Sequence, residues 1–391
     1  MILSILLGIG AIGTAIGAVM TAINLRLYRP APQAGAAPQP TATDVALVPA
    51  ISVCIPARNE ETNIGSCVQS LLGGTYKSIE VLVYNDQSTD RTGAIVAELT
   101  SADARVHAVA PVPLGQGWNG KQFGCEQCGQ RARGQWLLFT DADVRFAPDA
   151  IARTLAAAER AGCDLISTFP RQITGTLAEK LAVPMIHFIL FSYLPMARMR
   201  STRDPAASAG CGQFLFVRRS AWAASGGHAG FKASMHDGIM LPRNVRRSGG
   251  RTDLFDGTDL CEVRMYRGLG QTWRGFAKNA FEGLGSVTLL VFLTVLHVCG
   301  HILPWGVLAA TMLSADFRTS IGPTGLALSA TCVVLALCQR AVLAVRFRQS
   351  WLAVVLHPFG VAMMTAIQWH SWYLALAGKR TWRGRGDPSV A

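Results

Sequence analysis

Four stretches without Asp, Glu, Lys or Arg constrain this chain more than any other feature of its sequence. They cover residues 1–25, 283–315, 319–339 and 349–378. A helix needs about 20 apolar residues to cross the hydrocarbon core of a bilayer, and each stretch is long enough. The sequence therefore predicts an N-terminal membrane anchor and a group of C-terminal membrane helices, with a charged domain between them.

The positive charge of the chain lies close to these apolar stretches. The formal net charge is +12, and the basic residues concentrate at Arg267, Arg274, Lys278, Arg340, Arg346, Arg348, Lys379, Arg380, Arg383 and Arg385. This placement favours anionic lipid headgroups as partners, and it indicates no nucleic acid. Arg26 and Arg29 follow the first stretch, which is typical of a retained anchor in the inner, cytoplasmic membrane with the following domain facing the cytoplasm.

The basic tail conflicts with a simple count of spans. Three spans after a cytoplasmic domain would place residues 379–391 on the opposite side, against the positive-inside tendency. The last apolar stretch contains His357-Pro358 and the polar residues Gln368 and His370. We therefore expect this stretch to be broken or re-entrant, although the polar residues are also compatible with ordinary contacts between helices.

The region after residue 50 alternates between strand-like and helix-like segments. The runs ISVCIP (51–56) and IEVLVY (79–84) read as buried strands, and helix-like patterns follow each of them. This rhythm predicts an α/β domain with a parallel, Rossmann-like sheet. The predicted domains are an anchor (1–27), a flexible linker rich in Pro, Ala and Thr (28–48), an α/β domain (49–282) with interfacial helices (176–200 and 267–284), membrane helices (283–378) and a basic tail (379–391).

Two carboxylates follow directly after a predicted buried strand. Asp141 and Asp143 come directly after the run QWLLFT. Ligands in such sheets gather at the carboxyl ends of the strands. Paired carboxylates suit a divalent cation, Mg or Mn, beside a diphosphate. The alternative is that they only cap the next helix, because the spacing of two acids alone is weakly specific.

Two further polar groups follow the first two strands. Pro56, Arg58 and Glu60 come after the first strand, and Asp86 comes after the second. A carboxylate at Asp86 can accept a hydrogen bond from the imide nitrogen of a uracil base. A plain turn remains the alternative for Asp86 considered alone.

The remaining candidate site residues are Lys121 and two later pairs, at 212–213 and 236–237. Lys121 follows a loop that contains glycine at a predicted helix start, a placement that suits a phosphate. Gly212 and Gln213 precede another strand, and His236 and Asp237 open a helix-like stretch. A carboxylate there can deprotonate an acceptor hydroxyl, although helix capping explains the last pair equally well.

The cysteines point to a reducing compartment. The ten cysteines show no paired spacing, which argues against a disulfide framework. Cys125 and Cys128 form one CxxC without a second pair. Helix packing is the favoured interpretation, with a zinc or redox role as the alternative.

The ordered set of short motifs resembles family 2 glycosyltransferases. These motifs are PARNE at 56–60, NDQSTD at 85–90, GWNGK at 117–121, DAD at 141–143 and GQF at 212–214. The later segments MYRGLGQTWRGFAKN and WRGR are similar to membrane-bound members that glycosylate carotenoids, hopanoids or ceramide. The resemblance covers roughly residues 51–285 in detail.

This resemblance implies a GT-A fold and an inverting displacement. It also implies roles for individual residues: Asp86 and Glu60 near the base, Asp143 on Mg or Mn, and Asp237 as the general base. Two departures concern the acceptor side. His236 stands where relatives usually have an acid, and Trp273-Arg274 reverses the order of a motif that ends in Arg-Trp in processive and ceramide-type members.

The sequence therefore predicts a membrane-bound hexosyltransferase that uses a UDP-sugar and a lipid or apolar acceptor. One alternative is transfer to a polyprenyl phosphate or a growing polysaccharide. Another is a non-catalytic membrane scaffold with the same fold. A nucleotidyltransferase is disfavoured, because its glycine-rich loop would follow the first strand, where this chain has PARNEE.

Overall fold

The computed structural model describes residues 2–33, 50–382 and 385–386. The chain divides into two compact units. The helical unit comprises Met1–Leu27, Thr174–Pro195 and Met265–Ala377. The sheet unit comprises Tyr28–Ile173, Met196–Arg264 and Gly378–Ala391.

The strands of the described residues all belong to the sheet unit. They are β1 (Ile51–Ala57), β2 (Ile79–Asn85), β3 (Val106–Val109), β4 (Trp136–Phe139), β5 (Arg145–Phe146), β6 (Leu165–Ser167), β7 (Arg171–Gln172), β8 (Leu215–Arg218), β9 (Thr252–Leu254), β10 (Cys261–Val263), β11 (Thr381–Trp382) and β12 (Arg385–Gly386).

The helices occur in both units. They are α1 (Ile2–Leu27), α2 (Ile64–Leu72), α3 (Thr92–Ala102), α4 (Gly120–Arg131), α5 (Ala150–Ala161), α6 (Leu177–Ala182), α7 (Met185–Tyr193), α8 (Met196–Ser201), α9 (Arg219–Ala224), α10 (Asp237–Arg247), α11 (Gly268–Ala277), α12 (Ala280–Leu284), α13 (Val287–His297), α14 (Leu303–Leu313), α15 (Ala315–Arg346), α16 (Leu352–Val355) and α17 (His357–Leu376). A π-helical turn, Val298–Ile302, joins α13 to α14.

A mixed sheet of seven strands forms the centre of the sheet unit. Its order is β3-β2-β1-β4-β8-β6-β9. Strands β1 to β4 pair in parallel, with Ile51 opposite both Ile79 and Trp136. Strand β8 runs antiparallel to β4 and β6, and β6 pairs with β9 in parallel. A second sheet has the order β5-β10-β7.

Burial on both faces explains the apolar runs of the first strands. All residues of β1 and β4 are buried, and only Asn85 at the end of β2 is partly accessible. Such strands read as continuous apolar runs because helices cover both faces of a parallel sheet. The α/β prediction is confirmed, and the carboxyl ends of β1, β2 and β4 lie at one edge.

Helix α1 in the helical unit presents mostly small and polar residues to its neighbours. Its buried positions are Leu7, Gly10, Thr14, Gly17, Thr21 and Asn24. Asn24 donates hydrogen bonds to the carbonyl oxygens of Phe191 and Leu194, each at 2.8 Å. Its exposed positions carry large apolar side chains, namely Ile2, Ile5, Ile9, Ile12, Ile16, Val19 and Ile23. Small and polar residues inside, with large apolar residues outside, are typical of a membrane helix.

Among the residues that the structure describes, three helical segments are long and apolar enough to cross a membrane. They are Ile2–Leu27, Val287–Leu313 and Ala315–Arg346. The last apolar stretch of the sequence divides between α16 and α17 and is not one of the three. These helices support association with a membrane.

The predicted linker and tail are only partly within the described residues. Residues 34–49, 383–384 and 387–391 lie outside them. The start of the predicted linker is held by the sheet unit, because Arg153 donates to the carbonyl oxygens of Ala31 and Pro32. The Tyr28 hydroxyl also forms a hydrogen bond of 3.2 Å with Thr168.

Candidate active site

Two loops at the carboxyl ends of β1 and β2 are locked together by hydrogen bonds. The backbone N–H of Asn59 donates to the Ser88 hydroxyl at 3.0 Å, and that of Glu60 donates to the Thr92 hydroxyl at 2.8 Å. Asn59 and Gln87 have positive φ angles of 54° and 50°. A non-glycine residue with positive φ is uncommon and costs about 1–3 kcal/mol, so the surrounding hydrogen bonds must impose this conformation.

These loops place the candidate nucleotide-binding residues side by side. Nη1 of Arg58 donates to the carbonyl oxygen of Asp86 at 2.6 Å and lies 3.5 Å from its Oδ2. Pro56 is buried in β1 opposite Tyr84 of β2. The structure therefore brings together the residues predicted after the first and second strands, while their binding role stays a prediction.

Asp143 lies among other acids after β4. Burial raises the pKa of Asp143 to about 7, and the negative charges of Asp141 and Glu60 add to the shift. Its Oδ1 atom is buried and has no hydrogen-bond partner among the described residues. A buried carboxylate oxygen without a donor, beside further acids, is suited to a cation.

The acid pair suits a divalent cation that takes some of its ligands from the protein and the others from a substrate and water. Among the described ranges, no cluster of three or more His, Cys, Asp or Glu side chains is arranged to hold a metal on its own. Mg and Mn commonly take one or two protein carboxylates and fill their remaining positions with phosphate oxygens and water. Asp141 and Asp143 would be the protein ligands, as the sequence predicted.

Lys121 connects the acids after β4 with the acid that begins α10. Its Nζ lies 2.7 Å from Oδ1 of Asp141, 2.9 Å from Oδ2 of Asp237 and 3.3 Å from the carbonyl oxygen of Gly212. Asn119 caps α4 by accepting a hydrogen bond from the backbone N–H of Lys121, which fixes the start of the helix. The sequence predicted a phosphate-binding lysine but contained no sign of these two ion pairs.

Lys121 also determines the protonation of Asp237. Burial alone would raise the pKa of Asp237, but the positive charge of Lys121 outweighs it and holds that pKa below its usual value. The acids in turn hold the pKa of Lys121 well above its usual value, against the effect of burial. His236 precedes Asp237 and helps to lower its pKa. Asp237 is therefore ionised at neutral pH.

Gly212 was predicted as a residue of the acceptor side, but the sequence did not show why this position needs a glycine. A Cβ atom at this position would lie 2.0 Å from Oδ1 of Asp237. The neighbouring Gln213 accepts a hydrogen bond of 2.8 Å from the Thr140 hydroxyl through its carbonyl oxygen. The segment before β8 is thus fixed between the end of β4 and the start of α10, and glycine leaves room for the carboxylate.

Trp273 and Arg274, the other predicted acceptor-side residues, belong to the helical unit. They lie on α11, where Nε1 of Trp273 donates to Nδ1 of His370 on α17 at 2.8 Å. This bond ties α11 to α17. Their role toward an acceptor stays a prediction.

The CxxC pair packs inside the sheet unit. Cys125 and Cys128 lie on α4 and are buried in the apolar core beside Cys54. All ten cysteines are free thiols. Helix packing accounts for the pair.

The sheet unit is a Rossmann-like α/β domain with acids and a lysine near the carboxyl ends of its strands. Residues 52–224, which include residues 174–195 of the helical unit, match the family described as Glycosyl transferase family 2. The chain is a glycosyltransferase, and residues 52–224 are similar to a family 2 domain.

Two curated relatives agree with this assignment. The 4,4'-diaponeurosporenoate glycosyltransferase of Staphylococcus haemolyticus (strain JCSC1435) is 26% identical over 67% of this chain and 69% of the relative. The protein of the same name from Staphylococcus aureus (strain MRSA252) is 27% identical over 61% of this chain and 62% of its own. The match thus spans less than two thirds of the second relative.

The fold is also that of a solved glycosyltransferase. The mannosyltransferase PcManGT from Pyrobaculum calidifontis, solved in complex with GDP-Man and Mn2+, superposes with a TM-score of 0.59. The likeness covers 96% of this chain and 99% of that chain at 17% identity. The predicted GT-A fold is confirmed.

We expect Gly212→Ala to lower the rate of sugar transfer at least about tenfold, because the new methyl group displaces the Asp237 carboxylate from Lys121. Gly65→Ala is the matched control, since its Cβ would meet Ile95 at an ordinary 3.6 Å. Initial rates and circular dichroism of both variants test this. Equal rates for the two variants would show that the position of Asp237 does not matter.

We expect Asp143→Asn to raise the melting temperature of the full-length protein by about 3 °C or more at pH 8 in chelator. The pKa of Asp143 is about 7 in the folded state and about 3.9 in the unfolded state. The stability that the wild type gains from protonation of Asp143 is therefore lost as pH rises toward 7. The advantage of the Asn variant should therefore shrink at pH 5 and further toward pH 4. Thermal unfolding across this range measures the effect.

Asp103→Asn is the control for this experiment, because the pKa of Asp103 is shifted in the opposite direction from that of Asp143. Its hydrogen bonds with Arg105 lower the pKa of Asp103, so this substitution should give no gain in melting temperature. Identical melting temperatures for wild type and Asp143→Asn at pH 8 would contradict the repulsion inferred among the acids.

Proposed function

We propose that this glycosyltransferase transfers a hexose from a UDP-sugar to an apolar lipid acceptor at the membrane surface, with inversion at the anomeric carbon. The observation that carries the proposal is the position of Lys121 between Asp141 and Asp237, at 2.7 and 2.9 Å. One lysine thereby joins the acids suited to a cation and donor with the acid suited to an acceptor.

In the proposed reaction, Asp237 accepts the proton of an acceptor hydroxyl while the oxygen attacks the anomeric carbon from the face opposite the diphosphate. The bond between this carbon and the diphosphate oxygen breaks, and its electron pair leaves with the nucleotide diphosphate. A divalent cation on Asp141 and Asp143 would neutralise the charge that develops on that leaving group. Asp86, with Arg58 and Glu60, would hold the nucleotide base.

Lys121 has a second task in this proposal. Its ammonium group is close enough to the acids to contact a diphosphate bound there, which is the role that its placement in the sequence predicted. The same contact would draw positive charge away from Asp237. The pKa of Asp237 would then rise from its lowered value, and its carboxylate would become a better base.

The acceptor is proposed to be carotenoid-type. The staphylococcal relatives carry 4,4'-diaponeurosporenoate in their names, and the described part of the helical unit includes three helical segments suited to a membrane. A long apolar acceptor dissolves in a bilayer and would reach an enzyme anchored there. We place the protein in the inner membrane with the sheet unit facing the cytoplasm, as the basic residues after α1 favour.

A phosphate or other ionised oxygen on the acceptor is the second candidate. The lowered pKa of Asp237 supports it, because a weakly basic carboxylate is sufficient when no proton needs to be removed. A polyprenyl phosphate is one acceptor of this kind. The two candidates differ in their dependence on Asp237.

We expect Asp237→Asn to lower transfer by about 100-fold or more with a hydroxyl acceptor, while the affinity for the donor nucleotide stays within about twofold. The assay combines the purified full-length protein, labelled UDP-hexoses and a lipid extract. Glu98→Gln, an exposed change on α3, is the control. Near-normal turnover of a folded Asp237→Asn protein would contradict the general base and favour the ionised acceptor.

We expect Asp143→Ala to abolish the Mn-dependent part of nucleotide binding. Isothermal titration of the full-length protein with UDP, and in parallel with GDP, with and without Mn measures it. Tighter binding of GDP than of UDP would contradict the proposed donor. If wild-type protein bound neither nucleotide, a non-catalytic scaffold would replace the proposed enzyme.

A further inference from the structure

Helix α4 and its N-cap carry a row of polar side chains inside the sheet unit. Asn119, Gln122 and Glu126 are all buried. Their spacing of three and four residues places them on one face of the helix. Buried polar groups are costly unless they are hydrogen-bonded, so this face needs partners.

The partners lie in segment 228–236, which directly precedes the candidate base. The backbone N–H of Asn119 donates to the carbonyl oxygen of Lys232 at 2.7 Å. Nε2 of Gln122 donates to the carbonyl oxygen of Ser234 at 3.2 Å. The later part of the segment is therefore bound to the first turn of α4.

Glu126 binds the beginning of segment 228–236. Its Oε2 accepts hydrogen bonds from the backbone N–H groups of His228 at 2.8 Å and Ala229 at 3.1 Å. Its Oε1 accepts a hydrogen bond of 2.8 Å from Nε2 of Gln130. Hydrogen bonds to an ionised acceptor are about twice as strong as those between neutral groups, so this carboxylate is a firm attachment for the backbone.

The turn before His228 is shaped around this carboxylate. Gly226 and Gly227 have φ angles of 81° and 59°, a left-handed conformation that glycine adopts without strain. A turn of this kind aims successive backbone N–H groups at one point, which is an arrangement that binds anions. A Cβ atom on Gly227 would lie 2.7 Å from Oε2 of Glu126. The two glycines therefore allow the backbone to close around the carboxylate.

The side chain of His228 fixes the same point against the central sheet. Its Nδ1 accepts a hydrogen bond of 3.1 Å from Nε1 of Trp222. Its ring packs on Phe139, with 4.4 Å between the ring centroids. Phe139 is the last residue of β4, two residues before Asp141. The beginning of the segment is thus fixed relative to the strand that leads to the candidate cation ligands.

The residue after segment 228–236 is the candidate base. Oδ2 of Asp237 lies 2.9 Å from Nζ of Lys121. Glu126 follows Lys121 by five residues, about 7.5 Å along α4, and its hydrogen bonds go to the segment and to Gln130. One helix therefore holds the segment at its beginning and the carboxylate at its end.

We propose that Glu126 is a positioning residue for sugar transfer. By binding the backbone of His228 and Ala229, its carboxylate fixes segment 228–236 and keeps Asp237 where it meets Lys121 and the acceptor. The inference rests on the proposed role of Asp237 as the base. Glu126 acts through the backbone and takes no part in the chemistry itself.

The first measurement separates the rate from the affinity for the donor. We expect Glu126→Ala to lower kcat about tenfold or more while the KM for the UDP-hexose stays within about twofold, because a small displacement of the base slows the reaction and the nucleotide-binding loops are unchanged. The assay uses the purified full-length protein, labelled UDP-hexose and the lipid extract.

Cys128→Ala is the matched control on the same helix. Cys128 is buried in the core, and its Sγ lies 3.6 Å from the carbonyl oxygen of Leu82, away from segment 228–236. Its replacement should lower the melting temperature and leave kcat within about twofold of the wild type.

Two further variants separate position from charge. Glu126→Gln keeps an oxygen at the same distance from the helix and should retain at least about a third of the wild-type kcat. Glu126→Asp keeps the charge but withdraws it by one carbon–carbon bond, about 1.5 Å, and should lose about as much kcat as Glu126→Ala. If Glu126→Ala fails to fold, Glu126→Asp takes its place in every measurement.

A double-mutant cycle with Asp237 separates positioning from a general loss of structure. The Asp237→Asn protein has no base left to position, so adding Glu126→Ala should lower its residual rate less than about twofold. A structural defect would lower the rate by the same factor in both backgrounds.

Equal factors in the two backgrounds would overturn the inference while the proposed base stands. A kcat of Glu126→Ala within about twofold of the wild type would do the same, as would a rise in the donor KM that accounts for the loss. Near-normal turnover of Asp237→Asn alone would refute the proposed base, and this inference with it, before any Glu126 variant is measured.

Discussion

The ion pairs of Lys121 are the interaction on which the candidate active site depends. Three carboxylates, Asp141, Asp143 and Asp237, lie near one edge of the sheet, and without a cation their mutual repulsion would oppose folding. The ammonium group of Lys121 neutralises two of them at 2.7 and 2.9 Å. Asp143 is left with a raised pKa and a buried oxygen without a donor. The protein alone therefore satisfies part of its acidic edge, and the remaining buried carboxylate oxygen is suited to a cation.

Much of this arrangement could be predicted from local sequence. Strands β1, β2 and β4 are buried on both faces, so each appears as an apolar run that ends abruptly in polar residues. Because parallel strands bring their carboxyl ends to one edge, the residues after each run could be assigned to one site. Asp86, Asp141 and Asp143 were predicted as candidates in this way, and their binding roles stay a prediction.

The rest depends on contacts between distant segments. Strand β8 is short and antiparallel to β4, and nothing in its sequence shows that it brings Gly212 against Asp237. The ion pair between Lys121 and Asp237 joins two helix starts far apart in the chain. Residues 176–200 were predicted to form interfacial helices, and α7, which lies in this range, packs against α1 inside the helical unit. Such placements are decided by packing, which local patterns do not encode.

The strength of Asp237 as a base links the geometry to the choice of acceptor. An ion pair with Lys121 keeps this carboxylate ionised, but the same stabilisation makes it reluctant to take a proton. An acceptor that is already ionised would tolerate this weakness, whereas a hydroxyl would require Lys121 to turn toward the diphosphate before proton transfer. Donor binding and base strength would then be coupled through one side chain, and the hydroxyl acceptor would be activated only when the donor is in place.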